Sequence, residues 1–105
     1  MPTITVAGVA VEVTEDGFFA EPAQWTEYMI PELAAREGIA DPSEEQLRVV
    51  KFMRAEYART GSGPNVRALS KTDGISIKDL YRVFPGGPAK VAARIAGIPK
   101  PRGCI

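Results

Sequence analysis

The single cysteine of the chain, Cys104, stands one residue from the C-terminus and is the only strong nucleophile. The chain contains no histidine, which removes the usual general base and any Ser-His or Cys-His pair. An unperturbed thiol has a pKa of about 8.5, so about 3% of it is thiolate at pH 7. Such a thiol can accept sulfur from a donor persulfide or form a mixed disulfide. One cysteine excludes an internal disulfide framework and a cysteine-rich zinc site, and we expect no metal and no cofactor.

The segment that carries this thiol, residues 98–105, is predicted to be an extended arm. Pro99 and Pro101 forbid a helix and favour a polyproline-like path, and Gly103 restores freedom next to the thiol. At about 3.1 Å per residue, the six steps from residue 98 to residue 104 span roughly 19 Å. We therefore predict a mobile C-terminal arm that could deliver a sulfur atom into a pocket of another protein.

Charge is divided unevenly along the chain, although it sums to zero. Residues 1–45 hold ten acidic residues and one basic residue, whereas residues 46–105 hold twelve basic and three acidic residues. One interpretation is that the two halves attract each other in the fold, and the other is a basic surface for an anionic partner. On the arm itself, Lys100 and Arg102 favour a bound anion or the thiolate, while the terminal carboxylate opposes it.

The elements that must position the arm follow from hydrophobic periodicity. Alternation over residues 3–7 and 9–13 predicts a β-hairpin, with Ile4 and Val6 facing one way and the valines of the second strand another. Apolar residues spaced by four over residues 25–33 predict a helix that Pro31 distorts or splits.

Four further helices are predicted along the rest of the chain. The longest begins at a capping box with Asp41 as the N-cap and ends before residues 60–64, which are rich in glycine and serine. The others are predicted over residues 65–71, from Ser76 to about residue 84, and over residues 89–96, where Gly97 stops the helix. Core contacts are predicted for Trp25, Leu47, Val50, Phe52, Met53 and Leu80.

These elements predict one α+β, mostly helical domain over residues 1–97, followed by the arm over residues 98–105. A chain of 105 residues supports one small core and not two. It has no apolar run near 20 residues and no signal sequence at its start, so we expect a cytoplasmic protein that does not bind a membrane.

The turn at residues 72–74 joins two short helices, which could form a helix-turn-helix. Lys78 and Arg82 lie on the second helix and Arg67 on the first, so a nucleic-acid-binding regulator is an alternative function. The other interpretation is a hairpin built for packing, with these residues in the core: Leu69, Ile75, Ile77, Leu80 and Val83.

The C-terminal run resembles a known family. Residues 87–90 (GPAK), 94–101 (RIAGIPKP) and 103–105 (GCI) look like the C-terminal motif of the DsrC/TusE/DsvC sulfur carriers. The likeness extends upstream to residues 80–85 (LYRVFP), 64–71 (PNVRALSK) and 17–19 (GFF), and to Trp25. It therefore covers nearly the whole chain.

The resemblance implies a hairpin, a helical bundle with a helix-turn-helix-like part, and a C-terminal arm whose penultimate cysteine carries sulfur as a persulfide. That role falls on Cys104, so the protein would be a sulfurtransferase-type carrier rather than a stand-alone enzyme. Lys90, Arg94 and Lys100 match basic positions of the family, and together with Arg67 and Arg102 they are candidate contacts to an anion or a partner. Many members carry a longer charged insertion where this sequence has only the segment 72–76.

Some family members carry a second cysteine at the position of Ala93, which here cannot form an intramolecular disulfide. In having one cysteine, this sequence resembles the TusE-type members. That resemblance implies TusBCD- or DsrEFH-like sulfur donors and a tRNA-thiolation enzyme as acceptor. The alternative within the family is a gamma-like subunit that acts with sulfite reductase.

Overall fold

The computed structural model describes residues 2–101, in which a short hairpin precedes a bundle of helices. The elements are β1 (Thr3–Val6), β2 (Val9–Glu12), two 3-10 turns (Pro22–Gln24 and Glu27–Met29), α1 (Ile30–Arg36), α2 (Glu44–Thr60), α3 (Val66–Asp73), α4 (Ile77–Val83) and α5 (Pro88–Ala96). This order confirms the α+β, mostly helical fold with an N-terminal hairpin, and α3 and α4 are two short helices joined by residues 74–76.

The hairpin pairs β1 with β2 in antiparallel register, with Ile4 opposite Val11. Its turn at Ala7 and Gly8 has φ angles of 49° and 80°, which suit a tight two-residue hairpin turn. Because residues opposite each other share a face, Ile4 and Val6 lie on the same face as Val11 and Val9, and Val6 and Val11 are buried while Val9 is partly exposed. The prediction of opposite faces was therefore wrong, and Val11 is fully buried.

The start of α2 differs from the prediction by two residues. Ser43, not Asp41, is the N-cap: its Oγ accepts from the Gln46 backbone N–H at 3.1 Å, and Gln46 Oε1 accepts from the Ser43 N–H at 2.9 Å. This reciprocal pair forms the capping box. The predicted helix around residues 25–33 is split, as expected, and Pro31 lies in the first turn of α1, where its missing N–H costs no hydrogen bond.

Helix α5 lies at the centre of the bundle and contacts α1, α2, α3 and α4. Its buried residues are small or apolar: Pro88, Ala89, Val91, Ala92, Ala93, Ile95 and Ala96. Alanines at the contact surface allow neighbouring backbones to approach closely, because little side-chain volume separates them. The helix that precedes the predicted arm is thus the most enclosed in the described part of the chain.

The predicted core is confirmed in its main members. Val50, Met53 and Leu80 are buried, while Trp25, Leu47 and Phe52 are half-buried and pack against them. Ile77 is the exception among the hairpin residues assigned to the core, since it is 44% exposed on α4. Within residues 2–101, no helix combines the length and the apolar character that crossing a bilayer requires.

Substitution of Leu80 and of Ile77 on the same helix tests this assignment. Leu80 is fully buried, so Leu80→Ala should lower the free energy of unfolding by about 2–5 kcal/mol through lost burial and a cavity. Ile77→Ala should change it by about 0.5 kcal/mol, as exposed substitutions do. Urea denaturation of both variants measures the difference, and equal losses would contradict the described orientation of α4.

Candidate functional site

The end of α5 leads directly into the segment that carries the predicted sulfur-bearing thiol. Cys104 and Arg102 lie outside the described residues, so the structure addresses the base of the predicted arm rather than its tip. That base consists of the last turn of α5, Gly97 and residues 98–101. The arrangement of this base decides where the chain leaves the domain.

Arg54 of α2 reaches across to the C-terminus of α5. Its Nη1 donates to the carbonyl oxygens of Ala96 at 2.8 Å and of Gly97 at 3.3 Å, and its Nη2 donates to the Pro22 carbonyl at 2.8 Å. Burial lowers the pKa of the Arg54 guanidinium from its ordinary value, but an arginine in a protein keeps its charge. A cation at this point also complements the negative end of the α5 dipole.

Trp25 completes the arrangement from the N-terminal side. Its Nε1–H donates to the Ile95 carbonyl at 2.9 Å, and the Arg54 guanidinium lies 4.2 Å from the centre of the Trp25 ring system. This distance permits a cation–π interaction. We call Trp25 and Arg54 the α5 clamp, because together they bind three consecutive carbonyls at the end of this helix.

Gly97 ends α5 in a left-handed conformation with φ at 67°. Its N–H and the N–H of Ile98 both donate to the Ala93 carbonyl, which turns the chain sharply away from the helix axis. A Cβ atom on Gly97 would overlap the Trp25 ring and lie 2.7 Å from the Trp25 Cβ. Glycine is therefore required here both by the backbone conformation and by the clamp.

Residues 98–101 pack against the domain. Ile98 is completely buried, with 0% relative exposure, and Pro101 is also buried. Both lie beside Gly63 in the loop after α2, where an added Cβ would come within 2.9 Å of Ile98 Cδ1 and 3.7 Å of Pro101 Cγ. The first half of the predicted arm thus has a fixed course over this loop, although residues 98–101 form no helix or strand.

The predicted basic contact residues occupy separate positions. Arg94 on α5 forms a bidentate ion pair with Glu37, at 2.9 Å for both contacts, and lies over the Phe18 ring. Lys100 Nζ is 3.7 Å from Asp16, and both side chains are more than half exposed. Lys90 is half-buried on α5, and Arg67 is exposed on α3. The structure does not bring these residues together into one anion site.

Some acidic residues of the first half of the sequence form ion pairs with basic residues of the second half, as one interpretation of the uneven charge predicts. Arg94 with Glu37 and Lys100 with Asp16 are two such pairs, and Arg82 on α4 contacts Glu45 on α2 at 3.0 Å. Arg82, one of the bases expected to contact nucleic acid, is thereby engaged with a carboxylate. Among residues 2–101, no group of three acidic side chains is placed to hold a metal ion.

Arg54 was missed at the level of sequence, although a signal was present. Leu47, Val50, Arg54 and Tyr57 follow one another at the spacing of a core-facing helical stripe, so an arginine occupies a position that normally takes an apolar residue. A charge there must find hydrogen-bond partners. Sequence alone does not show that the partners are the carbonyls of α5, because 42 residues separate Arg54 from Ala96.

In the described residues, a central helix with a clamped end is followed by a glycine turn and a proline-containing segment that packs on the domain. The chain matches the family model "DsrC like protein" over residues 5–105. It therefore belongs to the DsrC-like family, which confirms the resemblance to the DsrC/TusE sulfur carriers and the prediction of a sulfur-carrier role.

Individual relatives carry two kinds of name. The chain is 38% identical over 105 residues to the gamma subunit of dissimilatory-type sulfite reductase from Nitratidesulfovibrio vulgaris Hildenborough, with 100% of both chains covered. It is also 38% identical to the sulfurtransferase TusE of Escherichia coli K12, covering 93% of this chain and 95% of that protein.

Solved structures agree with this assignment. The NMR structure of Allochromatium vinosum DsrC has a TM-score of 0.84 at 34% identity, covering 98% of this chain and 97% of that one. The structure of the Pyrobaculum aerophilum DsrC/gamma subunit has a TM-score of 0.78 at 36% identity, covering 99% and 95%. The fold is thus shared over essentially the full length, and the protein is a sulfur-relay protein that works with partners.

Two glycine substitutions test the packing at the end of α5. Gly97→Ala and Gly74→Ala both place a side chain in a left-handed helix cap, but Gly74 has no atom near the added Cβ. Each should cost about 1–2 kcal/mol of unfolding free energy from the backbone conformation. Gly97→Ala should cost about 1–3 kcal/mol more, because Trp25 must move. Thermal and urea denaturation measure both, and equal costs would contradict the contact between Gly97 and Trp25.

Proposed function

We propose that Cys104 is the residue on which this protein carries sulfur, and that it alternates between thiol and persulfide. The observation that carries this proposal is the course of residues 97–101, which the α5 clamp and Gly63 hold against the domain up to Pro101. The only thiol of the chain then follows three residues further on. The domain thus holds the chain up to Pro101, and the reactive thiol lies on the short segment that follows.

The packing of Ile98 and Pro101 changes the proposed length of the arm. Because these residues are buried, we place its start after Pro101 rather than at residue 98. Three residue steps span at most about 11 Å when fully extended, compared with the roughly 19 Å of the whole segment 98–104. A partner would therefore have to receive the edge of the domain close to its own reactive sulfur.

The proposed reaction is an exchange of sulfur between two thiols. The Cys104 thiolate attacks the outer sulfur of a donor persulfide, a new S–S bond forms at Cys104, and the S–S bond of the donor breaks with its thiolate as leaving group. Transfer to the acceptor is the same reaction in the opposite sense. The step is balanced without an external oxidant or reductant, and a proton from the incoming thiol ends on the departing one.

The partners we propose are sulfur-donor proteins of the TusBCD or DsrEFH type and a tRNA-thiolation enzyme as the acceptor. Ala93, the position of a second cysteine in some relatives, is fully buried and offers no sulfur. The chain therefore cannot close an internal disulfide between these two positions, and the TusE-type relay, which needs one thiol, suits it better than two-cysteine chemistry with sulfite reductase. Such a relay would operate in the cytoplasm.

Incubation with a persulfide donor such as inorganic polysulfide tests the role of Cys104. The wild-type mass should increase by about 32 Da, one sulfur atom on one thiol, and a reductant should reverse the change. Cys104→Ser should gain no sulfur and should keep the wild-type melting temperature. Intact-mass spectrometry decides the question: an unmodified wild type, or a Cys104→Ser variant that gains sulfur, would refute the proposal.

Charge near the tip should affect the loading rate. Replacement of Lys100 and Arg102 by Gln should slow sulfur loading, because these cations favour the thiolate and an anionic persulfide. The fold should tolerate the change, since the Lys100–Asp16 pair is exposed and contributes little stability. Replacement of the exposed Lys71 and Lys78 by Gln removes the same charge elsewhere and is the matched control. Equal rates for the two double variants, measured by mass spectrometry over time, would contradict this effect.

A further inference from the structure

From the contacts at the end of α5, we infer that Arg54 and Trp25 are positioning residues for sulfur transfer, which set the direction in which the chain end leaves the domain. The inference rests on the proposed function, since it is the sulfur-bearing Cys104 that they would position. Their proposed role is in positioning the chain end and not in the chemical step. They act through the backbone at Gly97.

The first argument is that the end of α5 is bound by side chains from two distant segments of the chain, in addition to its own left-handed glycine. The ends of α2 and α3 are closed by Gly61 and Gly74, whose N–H groups donate to their own last turns, and the last carbonyl of α4 accepts one bond from Gln46. The end of α5 has its own left-handed glycine as well, whose N–H bonds the Ala93 carbonyl. It additionally receives side chains from residues 42 and 70 positions away.

The second argument is the geometry of the guanidinium. One nitrogen of Arg54 faces the carbonyls of Ala96 and Gly97, while the other faces the Pro22 carbonyl in the segment that leads to Trp25. The planar fork thus fixes two chain segments relative to each other at once. A lysine, with a single ammonium on a flexible stem, does not reproduce this arrangement.

The third argument is the location of the contacts. The Gly97 carbonyl is the last group before Ile98, which begins the course over Gly63, and the Trp25 ring fills the space beside Gly97. A rotation of the backbone at Gly97 would therefore change the register of residues 98–101 on the Gly63 loop. Such a shift would change the position of the Cys104 thiol, which lies only three residues beyond Pro101 in the sequence.

The single cysteine allows this inference to be tested without a partner protein. A nitroxide attached to Cys104 of 15N-labelled protein broadens the amide signals of the residues that the tip approaches. We compare wild type, Arg54→Gln, Arg54→Lys and the matched control Lys51→Gln, which removes the same charge from an exposed position one turn earlier on α2. All are measured well below their unfolding temperatures, so a loss of stability alone does not alter the pattern.

The wild-type and Lys51→Gln proteins should show the same set of broadened amides. Arg54→Gln should lose that pattern and broaden amides that the wild-type tip does not reach, and Arg54→Lys should fail to restore it. An unchanged pattern in folded Arg54→Gln, or full rescue by Arg54→Lys, would overturn the inference. If Arg54→Gln does not fold, Trp25→Phe takes its place, since it removes the hydrogen bond to Ile95 and keeps an aromatic ring beside Gly97; an unchanged pattern there would overturn the inference equally.

Persulfide loading of unlabelled protein distinguishes a failure of the proposed sulfur-carrier function from a failure of the positioning role of Arg54 and Trp25. Wild-type protein that gains sulfur while the broadening pattern of the Arg54 variants stays unchanged refutes the positioning role alone. Wild-type protein that gains no sulfur refutes the proposed function, whatever the broadening pattern, and with it a positioning role in sulfur transfer.

Discussion

The structure depends on satisfying the last carbonyls of a helix that ends inside the protein. Ala96, Gly97 and Ile98 are all buried, so water cannot solvate the free carbonyl groups of the last turn of α5. An unpaired buried carbonyl costs about 1–3 kcal/mol, which a domain of this size cannot accept several times over. The Trp25 indole and the Arg54 guanidinium meet this requirement, and the guanidinium also places a positive charge at the negative end of the helix.

Meeting that requirement connects parts of the chain that would otherwise be independent. Trp25 belongs to the irregular segment before α1, Arg54 to α2, and the carbonyls to α5, so one cluster joins the N-terminal region, the longest helix and the C-terminal segment. The Arg94–Glu37 pair makes a second connection between α5 and the end of α1. Both connections hold α5 in place, and α5 in turn holds the segment that leads to the thiol.

Local patterns were sufficient to predict much of this fold, and long-range pairing was not. The hairpin, the helix order and the caps at Ser76 and Gly97 follow from short sequence signals, since each is set by neighbours within a few residues. Two candidate N-caps, Asp41 and Ser43, lie two residues apart, and Ser43 is the N-cap because Gln46 completes its capping box. The burial of Ile98 and the contacts of Arg54 depend on tertiary packing, and no local pattern predicts which distant backbone a buried arginine will meet.

Because position 93 is an alanine and not a cysteine, the packing around Gly97 and Ile98 matters more for the course of the chain end. In a carrier with two cysteines, a covalent bond between the arm and the last helix can itself hold the tip in a defined place. Here Ala93 supplies only its carbonyl, which accepts the N–H groups of Gly97 and Ile98. The direction of the chain end must then come from non-covalent contacts: the backbone turn at Gly97, the α5 clamp and the burial of Ile98. On the proposed function, these contacts fix the course of the chain up to Pro101 without consuming its one thiol, which would then be available for exchange with another protein.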